Sequence, residues 1–398
     1  MIESDLSVPA ILFGSSYTVL GTARSLGRRG IPAYCLSDNL GYLASSRYCC
    51  TMPGLPKVKE FSSLAAALAS IPFERAVLFP CSDHWTHEAV NLDLSLRTRF
   101  PAVLPPAPAI DILLNKGKLA LFLQEQKFPA PLTLGISGEK DLDKWPVDRW
   151  PITFIKPCDS QKFMSLFYRK ALRINSREQC LDRLSRILPE GVEVVLQEYV
   201  PGPATRHFFI DGYIDSTGTM RARFARQRVR MYPLDFGDSS ALRSIPLSQL
   251  GTLPDRLGKL LTTLEYRGIY SAEFKFDERD NEYKLLEINA RPWWYIAYAT
   301  DCGINVADMM YRDALGQPVT SVSDYKVGVG LVSLTNDRRA VWAMFRNGTL
   351  PFFPWLWSWL TYHRAVFNWD DPAPTLSQYW RRVKLHLGRI FGKRPVVV

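Results

Sequence analysis

Two neighbouring runs alternate between apolar and polar positions. In Gly268–Asp277, Tyr270, Ala272, Phe274 and Phe276 share one face of an extended chain, and Ser271, Glu273 and Lys275 share the other. In Tyr283–Arg291, Leu286, Ile288 and Ala290 are apolar, while Glu287, Asn289 and Arg291 lie on the opposite face. The polar stretch 278–282 between them predicts an antiparallel hairpin. A register symmetric about Asp280 sets Glu273 across from Glu287, with Cβ atoms ~5 Å apart, where like charges repel. A cation between them relieves that repulsion. Two carboxylates and an amide suit Mg²⁺, which takes few protein ligands beside substrate phosphates.

Upstream, the apolar run Val8–Phe13, a helical pattern ending at Gly30 and a strand at Ile31–Leu36 predict a β-α-β unit with parallel strands. A further strand, Ala76–Phe79, ends at Pro80-Cys81-Ser82-Asp83. Ligands of open α/β sheets gather beyond the carboxyl ends of strands, so Gly14–Tyr17, Asp83 and His84 stand on the expected binding edge. The glycines lack the Gly-x-Gly-x-x-Gly spacing of a dinucleotide site, which counts against a dehydrogenase. Pro101–Pro108 reads as a linker, 110–126 as one helical stretch, and 151–156 and 192–196 as strands with a helix from Ser176 to Leu188 between them. His207–Ile214 and Met220–Arg228 read as a hairpin.

At 398 residues the chain is long enough for two or three packed units, and a hydrophobic share of 47% argues against disorder. A net charge of +10 attracts anions. Nucleotide phosphate, nucleic acid and an anionic membrane all qualify, but no basic run interleaved with aromatics suggests a nucleic-acid module. Seven scattered cysteines without a Cys-x-x-Cys pair fit reduced thiols in a cytoplasmic protein better than zinc or disulfides. The acidic start Met1–Pro9 is no signal peptide, and no stretch is long and apolar enough to span a membrane.

Glu273 followed by Glu287-Ile-Asn289-Ala-Arg291 resembles the magnesium motif of the ATP-grasp superfamily, a Glu and then Glu-x-Asn-x-Arg. Asn115-Lys116-Gly117-Lys118 ahead of Pro129 resembles that family's lysine-bearing helix, Phe154-Ile155-Lys156-Pro157 its second ATP lysine, and Gln197-Glu198-Tyr199-Val200 its adenine-binding hinge. The likeness spans roughly residues 8–318. It leans to D-aspartate-ligase-like and carbamoyl-phosphate-synthase-large-subunit-like carboxylate–amine ligases, whose Lys-x-Arg-x-Tyr-Pro segment Arg228-Val-Arg230-Met-Tyr-Pro233 and Gly237 resemble. Two departures stand out. Thr205 occupies the place of an acid that often holds the ribose, and Cys158–Lys162 lacks the glycines of a phosphate loop.

The resemblance implies an α/β fold, α+β in its catalytic part: a Rossmann-like pre-ATP-grasp domain with a parallel sheet over 1–105, then an ATP-grasp domain over 106–320 hinged near 197–202. Residues 321–398 form an extension. The implied roles are Mg²⁺ held by Glu273, Glu287 and Asn289, with Mn²⁺ able to substitute, and ATP bound by Lys116, Lys156, Gln197, Glu198, Tyr199 and Val200. Arg291, Arg230 and Lys156 are the implied catalytic residues, Arg291 stabilising charge on the transferring phosphoryl group and Lys156 neutralising the phosphates. The implied reaction joins a small-molecule carboxylate to an amine through an acyl phosphate. An ATP-binding regulatory or scaffold subunit without turnover, and an NAD(P)-binding oxidoreductase, are the alternatives. Arg228, Arg230, Asp83 and the Trp293-Trp294 pair are expected to border the substrate pocket.

From Thr349 the composition changes. Pro351–Leu360 is densely aromatic, and six Lys and Arg fall between Arg381 and Arg394. Tryptophans beside cations suit a membrane interface, so 351–394 is expected either to cap the core or to lie on the inner face of a membrane. In a strand Trp355, Trp357 and Trp359 would share one face; in a helix Trp357 would point about 200° from Trp355. Asn368–Pro374 reads as an ordered turn between the two halves. A homodimer is compatible with this reading.

Overall fold

Ser16 caps the first helix, Tyr17–Gly27, accepting from the Thr18 amide, and this helix follows directly on strand β1, Ala10–Phe13. In the computed structural model of the chain, residues 6–52, 61–158, 163, 166–167, 171–234 and 236–390 are described, the side chains of 382 and 385–390 excepted. Strand β2 (Ala33–Leu36) and β3 (Val77–Pro80) flank β1 in a three-stranded parallel sheet of order β2-β1-β3. The β-α-β reading holds, and the helix Asp83–Val90 starts at the carboxyl end of β3. The alternating strands bury both faces, Ile11 and Phe13 in one core, Ala10 and Leu12 in the other.

The proline-rich stretch after residue 100 is packed rather than free. Leu78 N–H donates to the Pro101 carbonyl, and the Val103 carbonyl lies so close to Gly268 that a Cβ there would sit 2.4 Å from it. Gly268 also has a φ of +93°, which favours glycine. The helical stretch expected over 110–126 is two helices, Ala107–Leu114 and Lys116–Glu125. They break at Asn115, whose extended backbone lets its side chain accept from the Gly117 and Lys118 amides.

A small antiparallel sheet follows, made of β4 (Thr133–Ile136), β5 (Thr153–Pro157), β6 (Leu172–Ile174) and β7 (Val194–Glu198) in the order β4-β7-β5-β6. The helix Arg177–Ile187, capped by Ser176, covers it with Cys180, Leu184 and Ile187. The large sheet comprises β8 (His207–Ile214), β9 (Met220–Tyr232), β10 (Asp238–Ser244), β11 (Gly268–Asp277), β12 (Glu282–Asn289), β13 (Gly330–Val332) and β14 (His363–Arg364). Its order is β12-β11-β8-β9-β10-β13-β14. Strands β13 and β14 thus come from the stretch 321–398.

That stretch also forms helices Leu334–Arg346, Phe352–Thr361 and Ala373–Ile390. In the second, Trp355 and Trp359 meet edge to face with ring centroids 5.3 Å apart, while Trp357 is 67% exposed. The turn before the third holds the N-terminal unit. The Arg24 Nε donates to Asp371 Oδ2 at 2.9 Å with both side chains buried, Ser46 Oγ donates to the same carboxylate, and Arg28 pairs with Asp370. Among the described residues no helix is long and apolar enough to cross a membrane.

Candidate active site

Strands β11 and β12 pair with Glu273 opposite Glu287 and Ser271 opposite Asn289. The turn alone does not give this register. Asp277 faces Glu282 and Phe274 faces Leu285, so an unbroken ladder would set Glu273 against Leu286 and turn Glu287 to the other face. One extra residue, Leu286, is accommodated by a bulge between the Glu273 and Phe274 pairs, which brings Glu287 and Asn289 onto the face of Glu273.

The two carboxylates have different surroundings. Burial alone would raise the Glu273 pKa, but the Arg228 guanidinium 3.0 Å away and the His207 ring at 2.8 Å hold it at about 2. Glu287 accepts from Asn289 Nδ2 at 3.2 Å and is pushed up by desolvation and by the charge of Glu273. His207 Nδ1 lies between Glu273 and Arg228, and burial lowers its pKa to about 4, so the imidazole is neutral near pH 7. The site has a fixed anion, a second carboxylate that resists ionisation without a counter-charge, and an amide oxygen. This donor set fits a divalent cation whose remaining ligands are phosphate and water. Among the described residues no three His, Cys, Asp or Glu side chains form a closed metal cage.

Lys156, on β5, donates to Gln197 Oε1 at 2.6 Å across the small sheet. Burial, then the nearby charge of Lys116, pushes its pKa down to about 8, against the opposing pull of Glu287 and Glu273. Lys116, at the first turn of its helix, also acts on Glu287, so both lysines lie within electrostatic reach of the carboxylate pair. Beside them, the rings of Phe154, Tyr199 and Phe236 stack within 5.6 Å of one another, and Lys275 Nζ lies 4.2 Å over the Tyr199 ring. This aromatic cluster, with Lys156 over Phe236 and Lys275 over Tyr199, offers ring edges and cations suited to a flat, electron-rich ring system joined to phosphates.

The sequence-derived positions do not all converge. Glu198 lies on the opposite face of β7 from Gln197, and its carboxylate accepts from Arg149 Nη1 at 2.9 Å and from the Leu132 amide at 3.2 Å. Its backbone N–H pairs with Leu132, and that of Tyr199 with Ile152. Val200 is buried beyond them. Arg291 donates to Asp83 Oδ1 at 2.7 Å and to Asn289 Oδ1 at 3.2 Å, tying the binding edge of the parallel sheet to the metal face rather than pairing with Glu287. Trp293 is buried, and Trp294 packs on Tyr17 at 4.9 Å along that same edge.

Arg230 is held away from the carboxylate pair. Its guanidinium donates twice to Asp337, at 2.9 Å each, and once to Ser358 Oγ at 2.8 Å, facing the C-terminal helices. The arginine at Glu273 is Arg228, two residues earlier on β9. The spacing Arg226, Arg228, Arg230 on one strand face was the available signal, since three buried cations in a row demand three acids. Those are Asp211, Glu273 and Asp337. His207 and Phe236 carried no sequence signal, and Lys275, which alternation set on the face of Glu273, was given no role. Asp159 to Lys162, the glycine-free segment after Cys158, lie outside the described residues.

No family model matches the chain. A D-aspartate ligase of Enterococcus faecium (strain Aus0004) is 25% identical over 329 residues, covering 78% of this chain and 77% of the relative. Among solved structures, the biotin carboxylase–β,γ-ATP complex from Campylobacter jejuni superimposes with a TM-score of 0.62 at 15% identity, covering 82% of this chain and 75% of that one. N5-carboxyaminoimidazole synthetase from Staphylococcus aureus, complexed with ADP, gives 0.61 at 14% identity, covering 81% and 80%.

Proposed function

We infer, from the ATP-grasp fold that this chain has, that it is an ATP-dependent carboxylate–amine ligase. The observation that carries the reading is the opposed pair Glu273 and Glu287 with Asn289 beside it, within electrostatic reach of Lys116 and Lys156. Glu273, Glu287 and Asn289 would hold Mg²⁺, or Mn²⁺ in its place, which when bound neutralises charge on the ATP phosphates. Arg228 and His207 fix Glu273 in its ionised form, and Gln197 aims the Lys156 ammonium across the small sheet. The aromatic cluster of Phe154, Tyr199 and Phe236 receives the adenine, with Gln197–Val200 at its edge. A substrate carboxylate oxygen bonds to the γ-phosphorus as ADP leaves, and an amine then adds to the acyl carbon and expels phosphate. Such chemistry rests on positioning and charge and needs no nucleophilic side chain. Arg291, held by Asp83, is the cation proposed to stabilise the transferring group; its bond to Asn289 beside the carboxylate pair supports this.

The three parallel strands support a Rossmann-like, pre-ATP-grasp character for the first unit. The proposed boundaries are 1–105, 106–320 and 321–398, the last unit lending β13 and β14 to the sheet of the second; limited proteolysis tests them. The proposed location is the cytoplasm, where MgATP and reduced thiols are found, with peripheral attachment to a membrane's inner face as its finer form. A homodimer is proposed too, and sedimentation tests it. The deciding experiment for function screens carboxylates and amines for stimulated ADP and phosphate release. Release that needs both Mg²⁺ and one particular carboxylate supports the ligase. MgATP binding with no release under any pair supports a regulatory ATP-binding subunit.

A further inference from the structure

Of the 18 large hydrophobic side chains that are exposed among the described residues, 12 fall between Leu334 and Trp380. Such concentration is unusual, because exposed apolar side chains are ordinarily scattered. Phe353, Leu356, Trp357 and Leu360 repeat at helical spacing along the outer face of Phe352–Thr361 and are 39–80% exposed. Trp342 and Phe345 stack on the outer face of Leu334–Arg346 at 62% and 65% exposure. The two helices turn their inner faces to one anchor. Asp337 from the first accepts from Trp359 Nε1 of the second at 2.6 Å, and Arg230 bridges Asp337 to Ser358. Their outer faces therefore look away from the protein together.

Charge on this stretch has one sign. Residues 334–398 contain ten Lys and Arg and three acids, 10 − 3 = +7 of the chain's net +10. All three acids are engaged: Asp337 with Arg230, Asp370 with Arg28, and Asp371 with Arg24. Arg338, Arg339 and Arg346 are exposed and have no acidic partner among the described residues. Arg339, Trp342 and Arg346, spaced three and four residues apart, line one groove of about 340 Å³ with Tyr232 and Asn347. A second copy of the chain would meet this face with the same positive charge and no free carboxylate to answer it. An anionic phospholipid bilayer offers phosphates for the arginines and an apolar layer for the aromatic ridge.

We propose that the outer faces of helices Leu334–Arg346 and Phe352–Thr361 dock the protein on an anionic lipid surface, with the Arg339–Trp342–Arg346 groove taking lipid headgroup phosphate. The sequence had placed such contact at 351–394. The proposal adds the cations of the preceding helix to that stretch, of which Lys393 and Arg394 lie outside the described residues.

The test is co-sedimentation of the full chain with vesicles of phosphatidylglycerol mixed into phosphatidylcholine, beside vesicles of phosphatidylcholine alone. The wild type is expected to pellet at least about tenfold more on the anionic vesicles and to be released by salt. R339Q/R346Q is expected to lower that binding by about tenfold or more. F353S/W357S/L360S is expected to abolish it, with unchanged melting temperature and unchanged ADP formation, because those side chains are exposed. Wild type that stays in the supernatant with both vesicle types, or that pellets equally on both, overturns the proposal. A dimer in sedimentation equilibrium that F353S/W357S/L360S dissociates, without vesicle binding, overturns it in favour of a self-association face. Vesicle binding does not depend on turnover, so failure here leaves the ligase reading standing.

Discussion

Glu273 faces Glu287 because Leu286 is bulged out of the ladder between β11 and β12. A hairpin without the bulge would hide Glu287 and Asn289 on the core face, and the sequence would keep its motif while losing its site. The bulge therefore makes the metal face, and the like-charge opposition that follows is a local cost held in place by the rest of the sheet.

Glu287→Gln removes one of the opposed charges with almost no change in shape. The fold should be kept or slightly stabilised, while Mg²⁺-dependent ADP formation falls by orders of magnitude. Parallel thermal melts and turnover assays check this. A variant as active as wild type would remove Glu287 from the metal site.

The Lys156 pKa of about 8 sets a pH limit on nucleotide binding by the free protein. Below pH 8 the side chain carries the charge that phosphates attract; above it the free protein holds a neutral amine and must take up a proton to bind. The Kd for MgATP is therefore expected to rise as pH increases past about 8. Lys156→Arg, which stays charged, should flatten that limb. Calorimetric titrations from pH 7 to pH 10 read it directly, and an inflection that persists in the arginine variant would assign it to another group.

Arg230 and Asp337 form a buried pair whose partners have no solvent to fall back on. Asp337→Ala should cost roughly 3–5 kcal/mol, because the guanidinium is left uncompensated. R230M/D337L should recover most of that loss and retain ADP formation. Denaturant midpoints and turnover of the same samples separate the two roles, since a stable but inactive double variant would return Arg230 to catalysis.

MgATP should raise the melting temperature by mass action, the stabilisation reaching about 2.7 kcal/mol at a hundredfold excess over its Kd. NADH should leave it unchanged. Thermal shift with each ligand is enough, and the opposite pattern would favour an oxidoreductase.

The hairpin and its facing carboxylates were legible because alternation over eight to ten residues is a strong local signal, although the symmetric register assumed from the sequence reached the right pairing without the bulge that produces it. Lys156 and Gln197 were legible as members of strand motifs. The tie of Arg230 to Asp337 was not legible because the two lie 107 residues apart, a separation that no local pattern reports. The same holds for Arg291 and Asp83, 208 residues apart, and for the cluster formed by Phe154, Tyr199 and Phe236, which meet only when the two sheets pack. Asn115 showed its nature only in the structure, where the helical stretch breaks so that its side chain can cap a second helix.

The clamp of Asp371 on Arg24 has a consequence in time. The two residues are 347 positions apart, and at ~5–20 residues per second a ribosome takes roughly 20 to 70 seconds to make the second after the first. Throughout that interval the helix Tyr17–Gly27 has a guanidinium destined for burial and no carboxylate to meet it, and Ser46 and the Arg47 amide lack the same acceptor. The helix Tyr17–Gly27 is made early in this stretch of chain and yet reaches its final packing only after Asp371 has followed it.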